Sequence, residues 1–258
     1  MFKRILTKLV ILFVLMLAST TSVMYYTASV GNPFKHLKHR EDSQLRILLD
    51  AGHSSVLNLQ YLTPGKQSPE WADSLKIYEG VSTKLLACDL YAQLSVADID
   101  AQLLNPEPED ISLRERYMRA NRVYNADRRT ILLSLHHNAQ STQGKRVDYT
   151  DAEGLSGWYS SSTGGASSII LFTSKGQTTS DLMANYIAIE LDKVFEIPVY
   201  VREANFAILV YSWCPAILIE YGFMTTYTDC QLIVSDYHRK QFNAAIVTGL
   251  KKYANENR

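Results

Sequence analysis

Two features of the sequence predict a three-layer α/β domain with a twisted, largely parallel central sheet flanked by helices. Short apolar runs of buried-strand length alternate with longer stretches whose apolar residues recur at helical spacing. Strands separated by helices pair in parallel through crossover connections. A chain of 258 residues accommodates one sizeable domain of this kind, and no internal repeat divides it.

The elements follow in order. "RILLDAG" (from Arg46) reads as a strand that stops at Asp50-Ala51-Gly52-His53. "YEGVSTKLLACDLYAQLSV" places Val81, Leu85, Leu86, Leu90 and Leu94 at helical spacing. "DIDAQLLNP" holds a short strand ending at Pro106, and "ISLRERYMRANRVYN" a helix with Asp110 or Ser112 near its start. "TILLSLHHNA" and "SSIILFTS" read as strands. "SDLMANYIAIELDKVF" reads as a helix opened by Ser180 or Asp181, "AILIEYGF" as a buried strand and "HRKQFNAAIVTGLKKYA" as a closing amphipathic helix. Two stretches fit neither pattern. Residues 54–77 and the Gly- and Ser-rich stretch 140–166 are expected to be loops, and loops this long in a compact domain are commonly functional.

Formal net charge is zero and there is no basic stripe, which argues against a nucleic-acid partner. The N-terminus departs from an ordinary globular pattern. Lys3, Arg4 and Lys8 precede an apolar run from Leu9 to Ala18, and no charge follows until Lys35. This is the layout of an export signal, either cleavable or retained as a membrane anchor, over residues 1–30. "KHLKHR" then reads as part of a solvated linker over residues 31–43, with residues 44–258 as the folded domain. Export places the chain in the periplasm or cell envelope. Cys214 and Cys230 could pair in such an oxidising compartment, although buried free thiols are the favoured state of Cys88, Cys214 and Cys230.

Several segments place a metal-capable side chain at or near one end. His53 ends the first strand, Glu79 opens the first helix, and His136 and His137 close "ILLSLHH". Two imidazoles and one carboxylate make a set that leaves zinc a fourth position for water. Glu220 sits in a nearly continuous apolar strand, where a carboxylate is costly to bury without a partner. It is either a general base beside such a metal or the partner of an arginine such as Arg202.

Taken in register, these segments resemble the zinc-dependent N-acetylmuramoyl-L-alanine amidases of the amidase type 3 family. "LDAGH" (His53), "YEG" (Glu79), "ISLRERYMRAN" (Arg116, Asn121), "LSLHHNA" (His136) and "PAILIEYGF" (Glu220) match its motifs in order, and "VREANFAIL" is similar to the segment before its last strand. "TPGKQSP" and "TSKGQTTSD" are similar to a subgroup that includes phage-type members. The S-x-H-x-N pattern selects His136, and strand alternation turns His137 to the opposite face. Two positions depart from the family: Ser54 follows D-x-G-H where Gly is frequent, and Thr226 stands where Asn is usual.

The resemblance implies hydrolysis of the amide between N-acetylmuramic acid and L-alanine of the peptidoglycan stem peptide. It implies one Zn²⁺ held by His53, Glu79 and His136, polarising the scissile carbonyl and acidifying a water, with Glu220 as the proton acceptor. Asn138, Trp158, Arg202 and Asn205 are the expected substrate contacts, and the catalytic domain is expected to be monomeric. The stretch 140–166, carrying Trp158 and Tyr159, is expected to border the cleft because it leaves directly from the strand of His136. The competing readings are a zinc peptidase cutting within the stem peptide and a non-hydrolytic, membrane-tethered peptidoglycan-binding homologue. Because the linker separates the export segment from the domain, expression from Gln44 onward should yield soluble, active enzyme. An unfolded product of that truncation would mean that residues 1–30 pack into the fold.

Overall fold

A computed structural model of the chain describes residues 45–53, 65–71, 75–140, 146–150, 156–160 and 166–257, the two short internal pieces as backbone only. The export segment and linker expected over residues 1–43 lie outside the described residues. So does Ser54. No described helix is long and apolar enough to cross a membrane.

The core is a six-stranded sheet in the order β2-β1-β3-β8-β6-β7. Its strands are β1 (Arg46–Ala51), β2 (Asp100–Leu103), β3 (Thr130–Asn138), β6 (Ile169–Thr173), β7 (Val199–Glu203) and β8 (Ala216–Phe223). All neighbours pair in parallel except β6 and β8, which are antiparallel. The helices are α1 (Glu79–Val96), α2 (Leu113–Ala126), α3 (Thr178–Asp192), α4 (Ala207–Val210), α5 (Tyr227–Val234) and α6 (Asp236–Glu256).

Strand alternation sorts the side chains into two cores. Ile47, Leu49, Ile131, Leu133, Ile217 and Ile219 face Leu86 and Leu90 of α1, Met183 and Ile187 of α3 and Phe242 and Ile246 of α6. Leu48, Leu132, Ala216 and Leu218 face Ala120 of α2 and Ile208 and Leu209 of α4. A sheet with helices on both faces is the three-layer architecture expected, and both faces are apolar because both are covered. On the α2/α4 face the alternation continues upward into polar residues. Asp50 of β1 lies opposite Ser134 of β3, and His136 of β3 lies opposite Glu220 of β8.

Local chemistry sets several boundaries. The Ser112 hydroxyl accepts from the Glu115 amide (3.1 Å), capping α2. The α3 helix begins at Thr178, ahead of the expected Ser180 or Asp181. Both of those side chains are engaged inward, Ser180 Oγ accepting from the Ala216 amide and Asp181 Oδ1 from the Thr173 hydroxyl. The stretch 140–166 is not wholly loop: β4 (Arg146–Thr150) and β5 (Ser156–Ser160) form an antiparallel hairpin in which Asp148 pairs with Trp158. Arg146–Thr150 does alternate polar and apolar residues, but Ser and Gly fill three of the five positions of β5 and hide the period there. The edge strand β7 and the short helices α4 and α5 also escape the sequence pattern, each being too short to show a period. No disulfide joins Cys88, Cys214 and Cys230. Cys230 Sγ instead accepts from the Trp71 indole at 3.3 Å and donates to the Met224 carbonyl at 3.1 Å.

Close packing of α3 against α6 depends on Gly249. A methyl group there would lie 2.6 Å from Ile187 Cα and 2.9 Å from the Tyr186 carbonyl oxygen, both backbone. Gly249→Ala improves helix propensity by about 1 kcal/mol, whereas overpacking of a tight core costs about 1–3 kcal/mol. The variant should therefore lose stability in urea denaturation. Unchanged or greater stability would show that the two helices part freely.

Candidate active site

The described site residues gather at the C-terminal ends of the parallel strands β1, β3 and β8, where ligand sites of open α/β sheets form. His53 Nε2 lies 3.2 Å from Glu79 Oε2, and His136 Nδ1 lies 3.2 Å from Glu79 Oε1. The two imidazoles meet edge to face with centroids 5.1 Å apart. One ligand atom from each of His53, Glu79 and His136 lies within 4.8 Å of the others. This donor set suits a small divalent cation: two imidazole nitrogens, one carboxylate, and a buried Glu79 kept ionised. Burial alone would raise the Glu79 carboxyl, yet the adjacent His53 and His136 hold it well below the usual carboxylate range.

Each member is positioned by a specific contact. The chain leaving β1 turns at His53 with φ of 64°, a backbone conformation uncommon for a residue with a side chain. Arg116 of α2, itself buried, pins that turn. Its Nη1 donates to Asp50 Oδ1 (2.5 Å) and to the Ala51 carbonyl (2.6 Å). Its Nη2 donates to Asp110 Oδ1 (3.1 Å) and the His53 carbonyl (3.2 Å). Glu79 Oε2 accepts from the Lys66 amide at 2.9 Å, so the segment after Gly65 closes over the carboxylate. Thr83 of α1 donates to the Gly52 carbonyl at 2.6 Å, tying that helix to the same turn.

His137 serves a different purpose. Its ring lies on the opposite face, with Nδ1 2.8 Å from the Tyr221 carbonyl and Nε2 2.9 Å from the Ser82 hydroxyl. Burial lowers its pKa to about 4, so it is a neutral structural imidazole at neutral pH.

Glu220 stands beside His136 on the neighbouring strand and is 8 % exposed. Its Oε2 has no hydrogen-bond partner among the described residues. Burial pushes its carboxyl above the usual range, with Glu79 adding to the rise against His136 and Lys66. A cavity of about 250 Å³ joins these groups, walled by Leu113, Phe206, Ala207, Ile208 and Leu218.

A sequence model of the N-acetylmuramoyl-L-alanine amidases matches residues 47–252. The chain belongs to this family. No curated protein sequence matches it. Among solved structures, the N-acetylmuramoyl-L-alanine amidase from Clostridium difficile 630 is similar with a TM-score of 0.59 at 22% identity, covering 83% of this chain and 98% of that one. The catalytic domain of CwlV, an amidase from Bacillus (Paenibacillus) polymyxa var. colistinus, has a TM-score of 0.59 at 14% identity over 82% and 98%. AmiC2 of Nostoc punctiforme has a TM-score of 0.57 at 20% identity over 83% and 98%. The amidase described here is accordingly a hydrolase of peptidoglycan built on their fold.

The expected substrate contacts of the amidase are placed unevenly. Asn138 turns its Oδ1 back to accept from the Ala139 amide at 2.8 Å, and it does not line the cavity. Arg202 and Asn205 are exposed outside the cavity wall. The Arg202 guanidinium sits over the Tyr200 ring, 4.7 Å from its centroid, and among the described residues no ion pair joins it to Glu220. The "VREANFAIL" segment reaches the cavity through Phe206, Ala207 and Ile208 instead. The side chain of Trp158 lies outside the described residues. Thr226, at the departure from the family pattern, donates to the Ala166 carbonyl at 2.5 Å.

Sequence reading passed over Asp50, Ser134 and Lys66, which also line the cavity. Asp50 and Ser134 carry the same signal that singled out Glu220, a polar side chain within an apolar strand.

Gly52 is required by the site geometry. A methyl group at this position would fall 2.4–2.8 Å from the His136 ring atoms. Gly52→Ala should keep the fold by circular dichroism yet displace that ring. Misplacement of about 1 Å costs roughly 10²-fold in rate, so peptidoglycan cleavage should fall by about that factor. Wild-type cleavage by the variant would show that His136 tolerates the shift.

Proposed function

We propose that the amidase cleaves the bond between N-acetylmuramic acid and L-alanine with one Zn²⁺ bound by His53, Glu79 and His136. The observation that carries this reading is the convergence of those three side chains beside a buried carboxylate, Glu220, one of whose oxygens has no hydrogen-bond partner among the described residues. Zinc held there supplies Lewis acidity to the scissile carbonyl and lowers the pKa of a bound water.

The remaining chemistry belongs to the chain. Glu220 accepts a proton from the attacking water and returns it to the leaving nitrogen of L-alanine, so one carboxylate serves as base and then acid. Its apolar neighbours and Glu79 raise its basicity toward that task. Phe206, Ile208 and Leu218 limit water at the reacting carbonyl and offer apolar contact to the substrate. Peptidoglycan lies outside the cytoplasmic membrane, in keeping with residues 1–30 as an export signal or anchor and 44–258 as the catalytic unit.

Glu220→Gln should retain zinc and fold while turnover falls about 10²–10⁴-fold, the usual worth of general acid–base catalysis. His136→Ala should lose zinc by elemental analysis, whereas His137→Ala should keep it. Mass spectrometry of digested sacculi should show free stem peptides beginning with L-alanine, and a chelator should abolish them. Products cut within the stem would point to the peptidase reading, and turnover by Glu220→Gln at the wild-type rate would remove Glu220 from the mechanism.

A further inference from the structure

Ser134 of β3 is buried between two other polar groups on the same face of the sheet. Its hydroxyl donates to Asp50 Oδ2 at 2.7 Å, and its Oγ lies 3.2 Å from His136 Nε2. The other Asp50 oxygen accepts from Arg116 at 2.5 Å, and Asp50 is 1 % exposed. From Arg116 to Glu79, each polar atom in the series lies within hydrogen-bond distance of the next: guanidinium, carboxylate, hydroxyl, imidazole and second carboxylate.

The proton count along this series is fixed at its Asp50 end. A serine hydroxyl has one hydrogen to give and lone pairs to accept with. Asp50, pressed against a guanidinium, is ionised and can only accept, so the Ser134 hydrogen goes to Asp50. Ser134 Oγ is then left as an acceptor, and a hydrogen bond from His136 requires the proton on Nε2. Glu79, ionised, is an acceptor as well and competes for the proton at Nδ1; a cation among the converging ligand atoms would end that competition by taking the Nδ1 lone pair, leaving the proton on Nε2.

We infer that Asp50 and Ser134 are positioning residues that fix His136 as the Nε2-protonated tautomer and so present Nδ1 to the metal. This rests on the zinc reading of the site and adds which nitrogen binds and what selects it. Partners that orient a ligating histidine typically contribute about 10–100-fold in metal affinity. Changing Asp50 should reverse the proton pattern. In Asp50→Asn the new side-chain amide would donate to Ser134 Oγ. The Ser134 hydroxyl would then be free to donate to Nε2, driving the imidazole proton onto Nδ1, the atom meant to ligate.

The test uses the full-length chain with ¹⁵N-labelled histidine, loaded with zinc. The His136 signals are identified by their loss in His136→Ala. The wild type should show a protonated Nε2. Ser134→Ala should give mixed tautomers and a zinc dissociation constant raised about 10–100-fold in chelator competition. Asp50→Asn should move the proton to Nδ1 and weaken zinc at least as much, although its Ser134 hydroxyl is intact. A generic packing defect would not reverse a tautomer. Should Asp50→Asn fail to fold, Ser134→Ala decides alone. A wild-type proton on Nδ1 would overturn the proposal, as would wild-type tautomer and zinc affinity in the variants. A wild-type chain that takes up no zinc would instead overturn the metal reading, whereas a chain that takes up zinc through Nε2 would overturn this inference alone.

Discussion

The buried Arg116 guanidinium is the constraint on which the site is assembled. It joins α2 to the end of β1 and, through the Ala51 and His53 carbonyls, sets the path of the turn that carries His53. Burial by itself would disfavour the cation, but Asp50 and Asp110 hold its pKa above the usual value. The magnitudes explain why an uncommon backbone conformation persists at His53. A strained non-glycine residue costs about 1–3 kcal/mol, while removing one partner of a buried ion pair costs about 3–5 kcal/mol. Relaxing the turn by giving up the pair would therefore lose more than it recovers. Asp50 in turn fixes Ser134, and Ser134 contacts His136, so one cation on α2 organises residues from two neighbouring strands.

The same neighbourhood drives two carboxylates apart. Glu79 and Glu220 are both buried, and burial favours the neutral form of each. Glu79 lies within 3.2 Å of a nitrogen on each of two imidazoles and accepts from the Lys66 amide, so the charged form prevails. At Glu220 burial prevails over the pull of His136, Glu79 adds to it as a like charge, and the carboxyl rises. One group is thereby suited to hold a cation and the other to exchange a proton. Opposed titration of paired acids is a physical mark of distinct roles, and it comes here from position rather than residue type.

Legibility in the sequence followed length and repetition. The strands β1, β3, β6 and β8 and the helices α1, α2, α3 and α6 carry apolar runs or helical spacing because each is buried against the core. The edge strand β7 exposes Tyr200, Arg202 and Glu203, so half of its pattern is polar and too brief to read. The β4–β5 hairpin is held by pairing with itself, which leaves little trace in composition. At the site, His53, Glu79, His136 and Glu220 were recognisable by residue type within ordered motifs. Asp50 and Ser134 were overlooked because they neither ligate nor transfer the proton; their contribution is visible only once the register sets them opposite each other. Arg202 and Asn205 were expected as substrate contacts from the resemblance, whereas the residues of that segment that line the cavity are Phe206 to Ile208.

His136 and His137 show how little separates a site residue from a core residue. They are adjacent in sequence and identical in chemistry, and the two-residue period of the strand sends them to opposite faces. One face belongs to the α2/α4 layer and opens into the cavity; the other belongs to α1 and leaves His137 buried against Ser82 and Tyr221. Glu79 crosses this division. It comes from the start of α1, whose body packs on the His137 side, yet its carboxylate reaches over the strand ends to His53 and His136. The backbone amide of His137 lies 3.2 Å from Glu79 Oε1 and donates to it, linking the structural histidine to the same carboxylate. The site is therefore a junction between the two helical layers. Under the zinc reading, metal binding and the docking of the α1 N-terminus onto the sheet are one linked equilibrium.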